Sequence, residues 1–183
     1  MSGFNRDLNL LFIHIPRTAG TSMEKSRLLT CGTSHVTIRE YKARLAPEVF
    51  GTAFKFAFVR NPWDRYVSAF RTGRFGFGYN PHPFQVCEKA TLPQSQVHFR
   101  PQYEFICDDD GSVLVDFVGR FERLEEDWAE ICKVAGISCR LGHFRKGQHE
   151  DYRTYYSAEQ VEELRQIYAR DIELFGYEFG GLT

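Results

Sequence analysis

Residues with the chemistry to bind an anion are concentrated in the stretch FIHIPRTAGTSM, residues 12–23. The stretch begins inside the apolar, β-prone run 10–15, which predicts a buried strand ending at Pro16, since proline cannot donate to a sheet ladder. A polar, helix-compatible segment follows at 23–29. A tight loop between a strand and a helix aims backbone N–H groups and the positive helix end at one point. The sequence therefore predicts an anion site in this loop.

The side chains of this first loop add charge and hydroxyl donors to the site. Arg17 brings a positive charge with forked donors, and Thr21 and Ser22 bring hydroxyls. The phosphate loop of nucleotide kinases, G-x-x-x-x-G-K-[ST], does not match, because Ile15 stands at its first glycine and Thr21 at its lysine. The pattern thus predicts a phosphate site without the lysine that reaches a γ-phosphate. An ordinary strand-to-helix turn is the alternative interpretation.

A second stretch, FAFVRNPWDRYVSAF at residues 56–70, repeats this arrangement. A strand is predicted at 54–59, and Arg60 follows it directly. Asn61 is a favourable helix N-cap, and Pro62 occupies the favoured first helical position. An arginine is therefore predicted where a second strand passes into a second helix.

The helix predicted after Pro62 carries one apolar stripe and a serine off that stripe. Spacing of i, i+3, i+4 and i+7 defines the stripe, which consists of Trp63, Tyr66, Val67 and Phe70. Ser68 lies outside it, so its hydroxyl is predicted to bind something rather than to pack. The alternative is an exposed helix serine without a function.

Together the two stretches resemble the sulfotransferases that use 3′-phosphoadenosine 5′-phosphosulfate (PAPS), in their carbohydrate (family 2) branch. In that family the loop P-K-T-G-G-T-S binds the 5′-phosphosulfate, and R-N-P-W-D-R-x-V-S binds the 3′-phosphate. The resemblance assigns Arg60 and Ser68 to the 3′-phosphate. It assigns the phosphosulfate to Pro16, Arg17, Thr18, Ala19, Gly20, Thr21 and Ser22. The first loop departs from the family twice, with Arg17 for lysine and Ala19 for glycine.

The resemblance implies a fold and a reaction. The fold is a P-loop-type three-layer α/β sandwich around a mostly parallel sheet, which agrees with the alternation of predicted strands and helices. The reaction is in-line transfer of the sulfuryl group from PAPS to an acceptor hydroxyl on a carbohydrate or glycolipid. Arg17 and the 18–22 amides would stabilise charge, and the scheme requires no metal. A non-catalytic protein that binds PAPS or its desulfated product is the alternative, and Arg17 in place of lysine supports it.

A histidine is predicted as the base that takes the proton of the acceptor. The segment SHVTIREY, residues 34–41, resembles the family's H-V-S/T segment, whose histidine is the base in heparan-type 2-O-sulfotransferases, so His35 is the candidate. A capping or surface histidine is the alternative. The remaining histidines lie in the first predicted strand, the variable insertion or a late loop: His14, His82, His98, His143 and His149.

The late loop HFRKGQHEDYR, residues 143–153, contains two further patterns. Arg145, Lys146 and Gly147 look like the R-K-G loop that covers the 3′-phosphate in the cytosolic small-molecule branch, and a solvated basic turn is the alternative. Cys139 to Arg145 satisfies the phosphatase pattern C-x₅-R. In that pattern a cysteine thiolate attacks phosphate, which needs a loop that runs directly into a helix. It is a minor alternative here, because no hydroxyl residue follows Arg145 directly.

The chain as a whole indicates one domain, 1–183, of an enzyme for small-molecule or glycan acceptors. A net charge of −1 does not indicate nucleic-acid binding. The five cysteines are scattered without zinc spacing, which is typical of free thiols in a reducing compartment. With no leader sequence and no apolar run near ~20 residues, the interpretation is a cytoplasmic protein without a transmembrane segment. The oligomeric state is not predicted.

The remaining elements are predicted from caps and periodicity. Thr37 and Glu40 indicate a capping box for a helix through Leu45, closed by Pro47. The Gly-, Pro- and Phe-rich stretch 73–101 is predicted to be a lid or acceptor-binding insertion, with a possible short helix at 84–90.

Beyond the insertion, a hairpin or strand entry is predicted from 103–107 and 113–118 around the acidic turn 108–111. An amphipathic helix follows from Leu124 and ends at Gly136. One last helix opens at a Ser157–Gln160 cap, and its apolar face carries Val161, Leu164, Tyr168, Ile172 and Phe175.

Overall fold

A computed structural model describes residues 3–26, 29, 35–71, 97–138, 141 and 150–182. The chain forms two compact units. Unit 1 comprises 1–59 and 102–144, and unit 2 comprises 60–101 and 145–183. The prediction of a single domain is not decided by this division and stays a prediction.

The strands and helices, in chain order, are as follows. The strands are β1 (Phe4–Asn5), β2 (Leu10–Ile13), β3 (Phe54–Val59), β4 (Phe117–Arg120), β5 (Tyr177–Glu178) and β6 (Gly181–Leu182). The helices are α1 (Gly20–Lys25), α2 (Ile38–Arg44), α3 (Pro47–Thr52), α4 (Pro62–Arg71), α5 (Tyr103–Ile106), α6 (Leu124–Val134), α7 (Ala158–Ile167) and α8 (Ala169–Phe175).

Unit 1 is built on a four-stranded sheet in the order β1-β2-β3-β4. The pairs β2–β3 and β3–β4 are parallel, and β1 is antiparallel to β2. Parallel pairing requires long crossovers, and helices α1 to α3 lie in the chain between β2 and β3. The predicted α/β fold with a central, mostly parallel sheet is confirmed.

Aromatic side chains on one face of this sheet form the core of unit 1. Phe12 of β2 stacks on Phe56 of β3 with ring centroids 5.2 Å apart. Trp128 of α6 packs against the same cluster, as does Met23 of α1. On β4, a Cβ at Gly119 would lie only 2.5 Å from the Phe58 ring, so this strand accepts no larger residue there.

Several element boundaries in unit 1 differ from the sequence prediction. Strand β2 ends at Ile13, two residues before the predicted end, and α1 begins at Gly20 rather than at residue 23. The capping box of α2 is confirmed, since Thr37 accepts from the Glu40 N–H and the Glu40 carboxylate accepts from the Thr37 N–H. Pro47 does not only close α2: it is the first residue of α3, a position that proline favours.

The predicted hairpin at 103–118 is wrong in its first half. Residues 103–106 form the single helical turn α5, and only one antiparallel bridge, Cys107 with Val113, joins the two arms among the described residues. The following strand is β4, at 117–120. In the acidic turn, Lys42 hydrogen-bonds to the Asp108 carboxylate and thereby lowers its pKa. The turn is thus tied to α2, which a local pattern does not encode.

Unit 2 has its own core, formed by α4, α7 and the residue Phe99. The single last helix of the prediction is broken at Tyr168, whose φ of −107° and ψ of 23° separate α7 from α8. The Tyr168 hydroxyl donates to the Phe99 carbonyl at 2.6 Å, so a tertiary contact is satisfied at the break. The capping box of Ser157 and Gln160 at the start of α7 is confirmed.

Most of the predicted insertion lies outside the described residues. Of 73–101, the structure describes 97–101, and the helix suggested at 84–90 is not among them. Within the described ranges, no helix is both long enough and apolar enough to cross a membrane.

Candidate functional site

The loop after β2 has the backbone geometry of an anion-binding nest. The φ angle is +70° at Arg17 and +85° at Ala19, and no other residue of 14–22 has a positive φ. Alternation between right- and left-handed conformations turns successive N–H groups toward one concave point, where an anion binds. The two positive φ angles fit the convergence of N–H groups that the sequence predicts here, and the anion site itself stays a prediction.

Internal hydrogen bonds hold this loop in shape. The buried Thr18 hydroxyl donates to the Ile15 carbonyl at 2.8 Å. The Ala19 carbonyl accepts from the N–H groups of Ser22 and Met23, at 2.9 and 3.2 Å. Among the described residues, the N–H groups of Ala19 and its two successors donate to no backbone carbonyl. Thr18 thus stabilises the loop with its side chain, while the amides after it line the nest.

The predicted donor side chains of the loop differ in accessibility. Thr21 is exposed and Arg17 is partly exposed, whereas Ser22 is buried. The exposure of Thr21 and the partial exposure of Arg17 fit contact with an anion from solvent. Pro16 is buried before the first left-handed residue.

Gly20 is required by close packing rather than by its φ angle. A Cβ built on Gly20 would overlap the imidazole of His14, whose ring atoms are its three nearest neighbours. The His14 ring also stacks on Phe12, at a centroid distance of 5.7 Å and an interplanar angle of 22°. His14, expected within the strand, lies directly after it and packs on the start of α1.

His35 lies beside the same loop, as the sequence prediction requires of a base. Its Nδ1 lies 3.3 Å from the His14 carbonyl oxygen, and the two imidazole centroids are 4.5 Å apart. A carbonyl oxygen only accepts, so Nδ1 donates in this contact. In the neutral imidazole, Nε2 then carries the lone pair. His35 is 9% exposed with φ of +43°, a left-handed conformation that is costly for a non-glycine residue.

In unit 2, Arg60 precedes α4 and is fixed by an ion pair with Asp64 in the first turn of that helix. Arg60 is only 5% exposed, and its Nε donates to Asp64 Oδ2 at 2.8 Å. Asn61 caps the start of α4, since its Oδ1 accepts from the Trp63 N–H at 3.1 Å. The cap and the ion pair hold the guanidinium in one orientation, which favours recognition of a fixed anion.

Ser68 is buried, so the alternative of an exposed helix serine is wrong. Helix α4 has buried residues on more than the predicted stripe, and Ser68 is 2% exposed. The assignment of its hydroxyl to a ligand phosphate follows from the family pattern and stays a prediction.

Arg65 has a role that sequence reasoning missed. The side chain is 1% exposed, and its Nη atoms donate to the carbonyls of His98 and Arg100, at 3.1 and 2.6 Å. Its guanidinium also lies over the Tyr168 ring, 5.5 Å from the centroid. No signal in the sequence indicated this role, because Arg65 is charged and lies opposite the predicted apolar stripe of α4.

Other candidate residues lie outside the described part of the chain. These are Cys139, Arg145, Lys146 and Gly147. Within the described ranges there is no group of three or more His, Cys, Asp or Glu side chains arranged to hold a metal ion.

The chain matches a family model described as "Sulfotransferase family" over residues 3–178. It is similar to an uncharacterized protein of Archaeoglobus fulgidus, with 34% identity over 95 residues, which are 51% of this chain and 77% of that protein. No solved structure matches the chain.

The left-handed backbone at Ala19 predicts a stabilising substitution. Ala19→Gly removes the Cβ penalty of this conformation at some cost in chain entropy, so the free energy of unfolding should rise by roughly 0.5–1 kcal/mol. Ala43→Gly in the exposed part of α2 is the matched control and should lose about 1 kcal/mol. Urea denaturation of both variants measures the difference, and a loss at both positions would contradict the assigned backbone conformation.

Proposed function

Since the chain belongs to the sulfotransferase family, we propose that it moves the sulfuryl group of PAPS to a hydroxyl of a carbohydrate or glycolipid acceptor. The observation that carries the proposal is the nest at Arg17 and Ala19, which occupies the loop that the family resemblance assigns to the phosphosulfate. PAPS-dependent incorporation of labelled sulfate into sugars, glycolipids and small alcohols tests it. Incorporation into none of these would favour the non-catalytic alternative.

In this proposal the first loop binds the end of the donor at which chemistry occurs. The amides of the nest and the Thr21 hydroxyl donate to the phosphosulfate oxygens. The Arg17 guanidinium stabilises the negative charge that develops on the leaving phosphate as the S–O bond breaks. Sulfuryl transfer, like phosphoryl transfer, depends mostly on positioning and charge stabilisation, and preorganised donors supply both.

The 3′-phosphate of the donor is proposed to bind Arg60 and Ser68. Support comes from the family pattern and from the restrained side chain of Arg60, whose ion pair with Asp64 orients the guanidinium. Arg145, Lys146 and Gly147 are proposed to cover the same phosphate on the strength of the resemblance alone.

His35 is proposed as the general base. With Nδ1 donating to a carbonyl, the Nε2 lone pair is the group that accepts the proton of the acceptor hydroxyl as its oxygen attacks sulfur. The contact with His14, which itself packs on Gly20, supports a position near the donor loop. No metal is part of this scheme.

A protein that binds PAPS or its desulfated product without turnover remains a second candidate, because Arg17 replaces the usual lysine. We also keep as proposals a single domain with an acceptor-binding insertion, a small-molecule or glycan acceptor, no nucleic-acid partner and a cytoplasmic location. The last agrees with Cys107 and Cys132, which are buried and not disulfide-bonded.

Binding of the desulfated donor, 3′-phosphoadenosine 5′-phosphate (PAP), is expected to persist in EDTA. Arg60→Ala should weaken it by roughly 1.5–3 kcal/mol, the range for hydrogen bonds to a charged partner, and Ser68→Ala should cost less. Isothermal titration of PAP, with adenosine nucleotides lacking the 3′-phosphate as controls, measures this. If those nucleotides bound as tightly as PAP, the assignment of Arg60 and Ser68 to the 3′-phosphate would be wrong.

Arg17→Ala is expected to reduce turnover more than PAP affinity, because Arg17 acts on the phosphosulfate end. Arg17→Lys should retain much of the activity, since lysine keeps the charge and is the usual residue of the family. Steady-state kinetics with PAPS compare the two variants. A lysine variant as inactive as the alanine variant would mean that the forked guanidinium itself is needed.

His35→Ala is expected to fold normally, bind PAP normally and lose turnover by roughly 10²–10⁴-fold, the usual value of general-base assistance. Wild-type activity should fall on acidification, because protonation of the imidazole removes the lone pair of Nε2. The rate measured against pH for wild type and variant tests both statements. Turnover close to wild type in the variant would move the base to another histidine, with His149 and His143 next.

A further inference from the structure

We infer that His14 is a positioning residue for His35, and that its imidazole sets the orientation of the base relative to the first loop. The inference rests on the proposed function in one respect, since it takes His35 as the base. The family pattern assigns no role to His14, which lies two residues before Pro16.

Two neighbours contact the His14 ring. Phe12, which is fully buried in the sheet core, stacks on it with ring centroids 5.7 Å apart. The ring also occupies the space that any side chain at residue 20 would need, so it packs directly against the start of α1. Its position is therefore fixed both by the core and by the loop that forms the nest.

The same ring contacts His35. The imidazole centroids are 4.5 Å apart with an interplanar angle of 56°, a tilted arrangement that aromatic pairs favour. His35 is largely buried and has a left-handed backbone, so its ring has little room to turn without displacing that of His14. A shift of the His14 ring would thus move the base relative to the nest.

His14 also restrains the tautomer of the base. Its backbone carbonyl accepts the Nδ1–H of His35, and its side chain packs against the ring that this hydrogen bond orients. A ring flip of His35 would exchange the sides of the two nitrogens and present the wrong atom to an acceptor. His14 thus contributes a backbone acceptor that remains in every variant and a ring contact that substitution removes. Without the ring contact, the His35 imidazole can turn away from that acceptor and lose the hydrogen bond.

The first test needs no acceptor. Long-range ¹H–¹⁵N spectra of histidine-labelled full-length protein distinguish the two neutral tautomers, and the spectrum of His35→Ala assigns the signals of His35. Wild type should show one tautomer, with Nδ1 protonated. His14→Ala should show a mixture, while His14→Phe, which keeps a planar ring, should stay close to wild type. A single unchanged tautomer in His14→Ala would overturn the inference.

The second test is a double-mutant cycle on turnover. The assay uses PAPS and an acceptor found by the sulfate-incorporation screen. His14→Ala should lower kcat about tenfold or more, which is part of the rate factor that a general base supplies. The dissociation constant of PAP should change by less than about twofold, since the nest amides stay in place. In the His35→Ala background, His14→Ala should lower kcat no further.

Controls separate this role from stability and from failure of the proposed function. Ile131→Val, in the core of unit 1, should lower stability and leave kcat unchanged. An equal fall of kcat on His14→Ala in both backgrounds would mean that His14 acts on the loop and not through His35, which would overturn the inference. Wild-type turnover in His35→Ala would instead refute the proposed base, and the tautomer spectra would still report the His14 contact.

Discussion

The candidate site depends on the parallel pairing of β2 with β3. In register, Ile13 lies opposite Ala57, so both strands end at the same edge of the sheet. The nest follows β2 at this edge. Parallel strands gather polar residues from distant parts of the sequence at their carboxyl ends, which is where α/β proteins bind ligands. The apolar strands themselves contribute no chemistry.

Local signals predicted those elements that local interactions define. Strand β3 and the start of α4 follow from an apolar run and from the pair Asn61–Pro62, and the capping boxes of α2 and α7 follow from their cap residues. The predictions failed where tertiary contacts prevail. Tyr168 interrupts a periodic helix while its hydroxyl satisfies a carbonyl in another segment, and residues 103–106 form a helical turn within a presumed hairpin.

The sequence could propose residue types for the site but not their conformations. The family pattern pointed to the first loop and to Arg60, but an alanine at residue 19 gives no sign of a left-handed backbone, which glycine usually adopts. The contact between His14 and His35 spans 21 positions along the chain and depends on the path between them, which no periodicity encodes. Burial of Ser68 was likewise missed, because α4 packs on more than its apolar stripe.

The buried guanidinium of Arg65 has a consequence for how unit 2 unfolds. Its two hydrogen bonds to the carbonyls of His98 and Arg100 are the partners that make burial of the charge tolerable, and removal of such partners is strongly destabilising. Residues 97–101 therefore cannot detach locally at low cost, as surface segments usually do. The segment and α4 form one cooperative unit, and their amide protons should exchange with solvent together, through opening of the whole unit.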